Sequence, residues 1–558
     1  MSGTSSPARL ARLLLAVWLI LNLFNLVSYP FVHSDEIWLA GITSQMIRAG
    51  SPGVTEPFFD LLPRQPHGMR ILFHLFQAPF LAVFRDTVTA VRLFSLFTAA
   101  GGLVLFFRLL KRLGIPERLS LIFTTLLGTD GQFVYAAHFG RQEIQILFCM
   151  LLGLNLFFGS RLSAGRRGLA VGLATGLAAG FHPNAFIAAW PAGLLYLGAW
   201  LTRRRSLREA LIFLFSAAAG ALVFFLPGFL MGPFYLRDYG EFGRSVGVRF
   251  SWQEKILAWP GFYEKLFRRI SGTYYVPEMR IQLGAAAVLA AGLLAEAVIR
   301  YFPGLRSAGR AGIPGVGGSS PAGGLQDPAG KGGPASGDLP AAAGLAGILG
   351  INLGLAALGK YSQPSVLFLF PFVYILAARA SLGVYRHLGP RLRRILPVLL
   401  VPLLLVSPAG ILRDTFREKE SFRETSGKIR ALIPENSRVL GNLLWSGAWE
   451  KAELLDLRNL PLLEEAGLDF REYVRSRRVE YIIAGEELRY INRSRPVWNL
   501  LYGNPYPWEG EMEVFLEEEC VLAGEVESPG YGIRIPALRY TAPWPVRIYR
   551  VRSDSISR

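Results

Sequence analysis

Apolar runs long enough to cross a bilayer recur along this chain, and they restrict its fold more than any other feature. In hydrocarbon each backbone N–H and C=O must find its partner inside the segment, so runs of about twenty apolar residues become helices. We count about eleven near spanning length. They centre on Leu10–Phe31, Val88–Leu110, Leu119–Phe133, Ile144–Gly159, Leu169–Gly180 and Ala185–Leu201. The rest are Leu207–Phe234, Ile281–Tyr301, Ala341–Leu358, Val366–Leu382 and Ile395–Leu412. The stretch Ile71–Phe84 reads as a re-entrant or interfacial helix.

Basic residues mark one side of this array. Arg9 and Arg12, Arg108/Lys111/Arg112, Arg161/Arg166/Arg167, Arg203/Arg204/Arg205/Arg208, Arg300/Arg306/Arg310 and Arg386/Arg391/Arg393/Arg394 fall at alternate ends of the runs. Lys and Arg accumulate on the cytoplasmic side of membrane proteins, which places the N-terminus inside. The net charge of +18 is thereby a topology signal, and no nucleic acid is expected as a partner. The first run ends in NLVSYPFV without a small-x-small cleavage pattern and is expected to be a retained helix. Cys149 and Cys520 suggest neither a disulfide framework nor a metal knuckle.

Two segments depart from the pattern. Residues 303–340, rich in Gly, Pro and Ser, read as a disordered cytoplasmic loop. From 414 to 558 no spanning run occurs, and short apolar runs alternate with polar helical ones. SRVLGNLLW reads as a strand, WEKAELLDL as a helix, FREYVRSRRVEYIIAGEE as helix then strand, and PVRIYRVR as a closing strand. The expectation is a polytopic α-helical membrane domain, 1–413, followed by an extracytoplasmic α/β domain, 414–558.

Polar residues with chemical potential gather on the outer side. Asp35 and Glu36 follow the first run in HSDEIWLAG, and AAHFGRQEIQILF brings His138, Arg141, Gln142 and Glu143. AAGFHPNAF adds His182 and Asn184, and the ninth run ends at Lys360, Tyr361 and Gln363. The long outer loop 235–280 adds Trp252, Trp259, Tyr274 and Tyr275. Each has a plainer explanation. Ser34, Asp35 and Glu36 suit the first turn of a helix, with Ser34 as its cap. Arg141 and Glu143, two apart, would not face one another on a helix. His182-Pro183 suits a turn, and Lys360-Tyr361 and the loop aromatics suit interfacial anchors. Convergence on one face is what favours a site.

These segments together resemble the GT-C glycosyltransferases, membrane enzymes that use polyprenyl-phosphate sugars and include protein O-mannosyltransferases and lipid A aminoarabinose transferases. HSDEIWLAG resembles their first-loop acidic motif, PRQPHGMRILFHLFQAPFLAVF and VRLFSLFTAAGGLVLFF the loop helix and second membrane helix, and FGRQEIQILF the second acidic position. KYSQPSVLFLFPFVYIL resembles the late basic-aromatic helix, and SGKIRALIPENSRVL and RSRRVEYIIAGEEL the outer domain of many bacterial members. Two positions depart: the loop helix reads Pro66-His67-Gly68 where consecutive prolines are frequent, and the second acid lies within RQE.

The resemblance implies a GT-C fold of about eleven spans and an inverting transfer of a sugar from a polyprenyl phosphate to a hydroxyl of a glycan, lipid or protein acceptor. It makes Asp35 the base, with Glu36 orienting it or binding sugar hydroxyls. Glu143 becomes the second acid, for the acceptor or a metal. Arg141, Lys360 and His182 become phosphate ligands, with His138 and Tyr361 also at the substrate. A divalent metal is possible, but the acids have no diagnostic metal spacing. Arginine-rich inner loops and the lack of an ER-retention motif suit a bacterial inner membrane. The competing classes are a transporter or flippase, and a membrane scaffold. The first predicts charges at the bilayer midplane and internal repeats, which the sequence does not offer; the second predicts that Asp35 is dispensable.

Overall fold

The computed structural model describes residues 7–54, 58–61, 70–84, 86–159, 161–231, 248–268, 276, 279–301, 339–387, 408–413, 415–416, 420–448, 453–494, 505–531 and 544–554. Helices dominate as far as residue 387. The first seven are α1 (Pro7–Phe24), α2 (Ser34–Ala49), α3 (Ile71–Val83), α4 (Thr87–Arg112), α5 (Glu117–Thr129), α6 (Gly131–Ala137) and α7 (Glu143–Phe157). They are followed by α8 (Ala164–Leu177), α9 (Ala185–Leu201), α10 (Leu207–Met231), α11 (Trp252–Arg268), α12 (Met279–Tyr301), α13 (Leu339–Leu358) and α14 (Phe370–His387).

Against about eleven expected spans, four stretches among the described residues are long and apolar enough to cross a membrane: Thr87–Arg112, Leu207–Leu226, Leu339–Leu358 and Gln363–Leu382. Ile71–Val83, Glu143–Phe157, Ala185–Leu201 and Met279–Leu293 are apolar but shorter. The third expected run is divided at Asp130, which ends α5 and whose carboxylate accepts the N–H groups of Gln132 and Phe133 to start α6. Most of the eleventh run, and the 303–340 loop up to the start of α13 at Leu339, lie outside the described residues. So do Pro66, His67, Gly68, Tyr274 and Tyr275.

Without water to expel, helices in a membrane gain from close backbone approach through small residues. Here α8 and α10 meet along Gly168, Gly172 and Gly176, spaced by four. A Cβ on Gly172 would lie 1.9 Å from Ser216 Oγ and 2.5 Å from the Phe213 carbonyl oxygen, so only glycine fits. The central helix α4 is buried along most of its length; it packs against α7, α3 and α5, and α13 and α14 belong to the same apolar core.

The C-terminal part forms a five-stranded sheet in the order β2-β1-β3-β5-β4. β1 is Arg438–Gly441, β2 Glu453–Asp456, β3 Tyr481–Gly485, β4 Cys520–Ser528 and β5 Trp544–Val551. β2, β1 and β3 are parallel, while β5 is antiparallel to both β3 and β4. Four helices accompany it: α15 (Phe422–Ala431), α16 (Phe470–Ser476), α17 (Glu486–Ser494) and α18 (Glu509–Glu519). One expectation is corrected. Glu453–Asp456, expected in a helix, is β2, with Leu454 and Asp456 buried and Glu453 exposed. The alternation of burial along four residues is that of a strand, and so short a run does not distinguish the two periods.

This sheet is joined to the helices by an apolar cluster. Phe31, Val32, Ile37 and Val88 pack with Phe422, Val439, Trp445, Ile483, Tyr531, Val546 and Ile548. Polar contacts add a second attachment. The Phe58 carbonyl accepts from the Asp456 N–H (3.1 Å) and the Asn459 amide (2.9 Å). Asp60 accepts from the Tyr473 hydroxyl at 2.8 Å and pairs with Arg477.

Candidate active site

The two adjacent acids that open α2 have different environments, and the geometry of one turn separates them. His33 is the N-cap of α2, its Nδ1 accepting the Asp35 N–H (3.0 Å), and Glu36 sits at N3 with its carboxylate returning to the His33 N–H (3.1 Å). Histidine, not the expected Ser34, thus closes the capping box. The turn directs Glu36 into the core. Both its oxygens are 2.9 Å from Arg92 of α4, with neither side chain exposed, and Oε1 also accepts the Gly140 N–H at 2.9 Å. Gly140 has room for no side chain, since a Cβ would lie 2.6 Å from Val91. Arg92 further donates to the carbonyls of Leu26 and Val27. Glu36 therefore ties three segments together: the turn between α1 and α2, α4, and the Gly140 loop.

Asp35 remains partly accessible and meets the second acidic position through an arginine. Arg141 Nη1 lies 2.9 Å from Asp35 Oδ2, and Nη2 3.0 Å from Glu143 Oε1, the three side chains being 15%, 20% and 6% exposed. The expectation that Arg141 and Glu143 would not face one another is overturned because α7 begins at Glu143, leaving Arg141 in the preceding loop. Glu143 in the first turn also complements the helix dipole.

Lys360 follows α13 and belongs to the same neighbourhood. Burial, then the charges of Arg141 and Arg70, bring its ammonium down to about 8, with Glu143 and Asp35 acting in the opposite sense. Among the described residues it makes no ion pair within 4.0 Å. Arg70, just before α3, places Nη2 3.3 Å from His182 Nε2 and its guanidinium 5.1 Å from the centre of the Trp38 ring. The Asn184 N–H donates to His182 Nδ1, so this histidine also shapes the turn into α9. Gln132, Tyr135, Phe139 and Pro364 line a small cavity beside Glu143, of about 10 Å³.

The other two expected residues are engaged nearby in holding chain segments. His138 is fully buried, Nδ1 lying 2.8 Å from the Tyr29 carbonyl oxygen. The Tyr361 hydroxyl donates to the Lys255 carbonyl, fastening α11, whose exposed Trp252, Ile256, Leu257 and Trp259 suit a helix in a membrane interface. Sequence reasoning missed Arg92, Arg70 and Gly140. Arg92 carried a signal: a lone charge within a spanning helix requires a buried partner. Among the described residues no three His, Cys, Asp or Glu side chains form a metal-holding group.

The site combines a partly accessible carboxylate, a bridging arginine, a second carboxylate and two further cations, at the junction of helices and sheet. That is chemistry for proton removal beside an anion. No family model matches the chain, and no curated protein does. Among solved structures, ArnT from Cupriavidus metallidurans matches in the apo state, with TM-score 0.55 at 12% identity over 98% of each chain. The same protein bound to undecaprenyl phosphate matches with TM-score 0.54 at 12% identity, over 98% of this chain and 99% of that one. The apo oligosaccharyltransferase of Archaeoglobus fulgidus gives 0.49 at 15% identity, over 90% and 71%. At such identity the likeness to ArnT is one of fold, and it is the fold expected from the resemblance to GT-C glycosyltransferases: along nearly its whole length this chain is built as ArnT is.

Proposed function

We propose that this chain is an integral-membrane glycosyltransferase that moves a sugar from a polyprenyl-phosphate donor to a hydroxyl of a glycan, lipid or protein acceptor. The observation that carries the reading is the Asp35–Arg141–Glu143 bridge with Lys360 beside it. The ArnT fold supports it, and one of the ArnT structures is bound to undecaprenyl phosphate, which supports a polyprenyl phosphate as the lipid here.

In this reading Asp35 takes the proton of the acceptor hydroxyl as its oxygen attacks the anomeric carbon. The bond from that carbon to the phosphate oxygen breaks, and polyprenyl phosphate leaves with the electron pair. Direct displacement inverts the anomeric centre. Arg141 and Lys360 stabilise the departing phosphate, the first through two parallel N–H groups and the second as a point charge. Arg70 and His182 extend the same cationic wall. Glu143, held to Arg141 beside Asp35, positions the acceptor or the sugar. Glu36, His138 and Tyr361 act through the segments they hold. Residues 1–413 form the catalytic membrane domain and 414–558 an extracytoplasmic α/β domain, in a bacterial inner membrane with the N-terminus in the cytoplasm.

The test is turnover of radiolabelled polyprenyl-phosphate sugars by purified wild type and Asp35→Asn. Sugar loss with wild type and none with the variant, both folded, supports the assignment of class and base. Equal turnover removes Asp35 as the base. If wild type neither binds nor turns over any donor, a transporter or flippase reading takes its place.

A further inference from the structure

The basic end of the helix array holds three arginines that the transfer chemistry does not use. Arg108 and Arg112 lie on the last turns of α4, and Arg161 on the loop between α7 and α8. Residues four apart on a helix are neighbours on one face, so Arg108 stands beside Arg112. Arg112 is fixed in place. Its Nη1 donates to the Asn155 carbonyl of α7, and a Cβ on Gly159 would stand 2.9 Å from that nitrogen. Asn155 itself clamps α7 to α4, its amide donating to the Leu105 carbonyl at 2.8 Å. Arg161, two residues beyond Gly159, is thereby brought to the same spot, and the charges that bear on Arg112 are those of Arg108 and Arg161.

Like charges so placed repel, and no acid offsets them. Glu117 pairs with Lys111 at 3.1 Å, and Glu209 is taken by Arg167 and Arg205. Among the described residues Arg108, Arg112 and Arg161 pair with no carboxylate, and all three are exposed. The positive-inside rule accounts for the side on which basic residues gather, but it does not require three of them to meet at one point.

Depth and surroundings identify the counterion. The backbone of α4 from Thr87 to Arg108 spans about 32 Å, close to the ~30 Å of a hydrocarbon core. Arg108 thus leaves the hydrocarbon at the level of the lipid phosphates, whose oxygens suit the guanidinium fork. Running away from this end, Leu169, Leu173 and Leu177 form an exposed apolar stripe along α8, at a spacing of four residues. Acyl chains would use that stripe, and a free phosphate would not. We propose that Arg108, Arg112 and Arg161 bind the headgroup of an anionic phospholipid at this end of the molecule. The inference requires a bilayer around α4 and is independent of the sugar chemistry.

The experiment is native mass spectrometry of the full-length protein in detergent, titrated with phosphatidylcholine, phosphatidylglycerol and cardiolipin. Glycerol 3-phosphate is the competitor without acyl chains. Arg108→Gln, Arg161→Gln and the double variant are compared with wild type, and Arg204→Gln, in another basic cluster, is the control. Wild type is expected to hold the two anionic lipids more tightly than phosphatidylcholine. Their affinity should fall roughly fivefold in each single variant and roughly thirtyfold in the double variant, with the control changed by less than about twofold. Both substituted arginines are exposed, so the variants should fold; thermal midpoints check this, and the single variants carry the test if the double variant fails. The proposal is overturned by undiminished affinity in folded variants, by an equal loss in the control, or by a wild type without preference for anionic lipids. Displacement of the lipid by glycerol 3-phosphate would also overturn it, in favour of a small-anion site.

Discussion

At the scale of single residues, two neighbouring carboxylates divide their tasks by burial. Asp35→Asn is expected to reduce turnover by roughly 10²- to 10⁴-fold, the range of a lost general base, with donor binding retained in a filter assay. Glu36→Gln is expected to act on folding, because an Arg92 left without its carboxylate is a buried charge without compensation; such losses cost about 3–5 kcal/mol. A lowered thermal midpoint in purified protein checks it, and an unchanged midpoint would remove the positioning role. Lys360 predicts a pH dependence. Its folded-state value is depressed from the usual lysine range to about 8, so the ammonium is charged at pH 7 and mostly neutral at pH 9. Donor affinity is expected to weaken across that interval, and Lys360→Arg, charged throughout, should flatten the profile. The same shift makes the protonated lysine a destabilising group in the folded state below about pH 8, relieved as pH rises towards the unfolded value. The sequence made Asp35, Arg141, Glu143 and Lys360 legible because charges at the ends of apolar runs are conspicuous. It could not separate Asp35 from Glu36, since that depends on which residue caps the helix, and His33 took the place expected of Ser34.

At the scale of elements, periodicity worked where segments were long. Ile71–Val83, the helix-then-strand around Phe470–Gly485 and the closing strand at Trp544–Val551 all occur as expected. It failed at Glu453–Asp456, where four residues satisfy either period, and passed over α11, whose apolar side reads as scattered loop aromatics until it is folded. The segment 58–61 could not be read from sequence at all, because its partners Asp456, Tyr473 and Arg477 lie some four hundred positions away. Asp60→Ala is expected to expose this segment: limited proteolysis should cut nearby at a faster rate than in wild type. Equal cutting would show that the apolar contacts alone hold it. Packing between α8 and α10 gives a sharper expectation. Gly172→Val places atoms where Ser216 and Phe213 already stand and should lower the thermal midpoint, since backbone on the facing helix cannot yield as a side chain can.

At the scale of the whole molecule, the sheet packs on the segment that carries Asp35, and the alternation of basic clusters predicts that both face away from the cytoplasm. A cysteine introduced at exposed Glu527 is expected to react with a membrane-impermeant maleimide added outside intact cells. Labelling only after permeabilisation would reverse the topology. The junction has a further consequence in time. Ribosomes make the chain from its N-terminus, so the turn at Phe31 and the segment at Asp60 emerge early. The residues that seat them, Phe422, Trp445 and Tyr531 for the first and Asp456, Tyr473 and Arg477 for the second, are made in about the last quarter of the chain. A nascent protein thus reaches the membrane with the turn between α1 and α2 unsupported, and the site acquires its full scaffold only when synthesis is almost over.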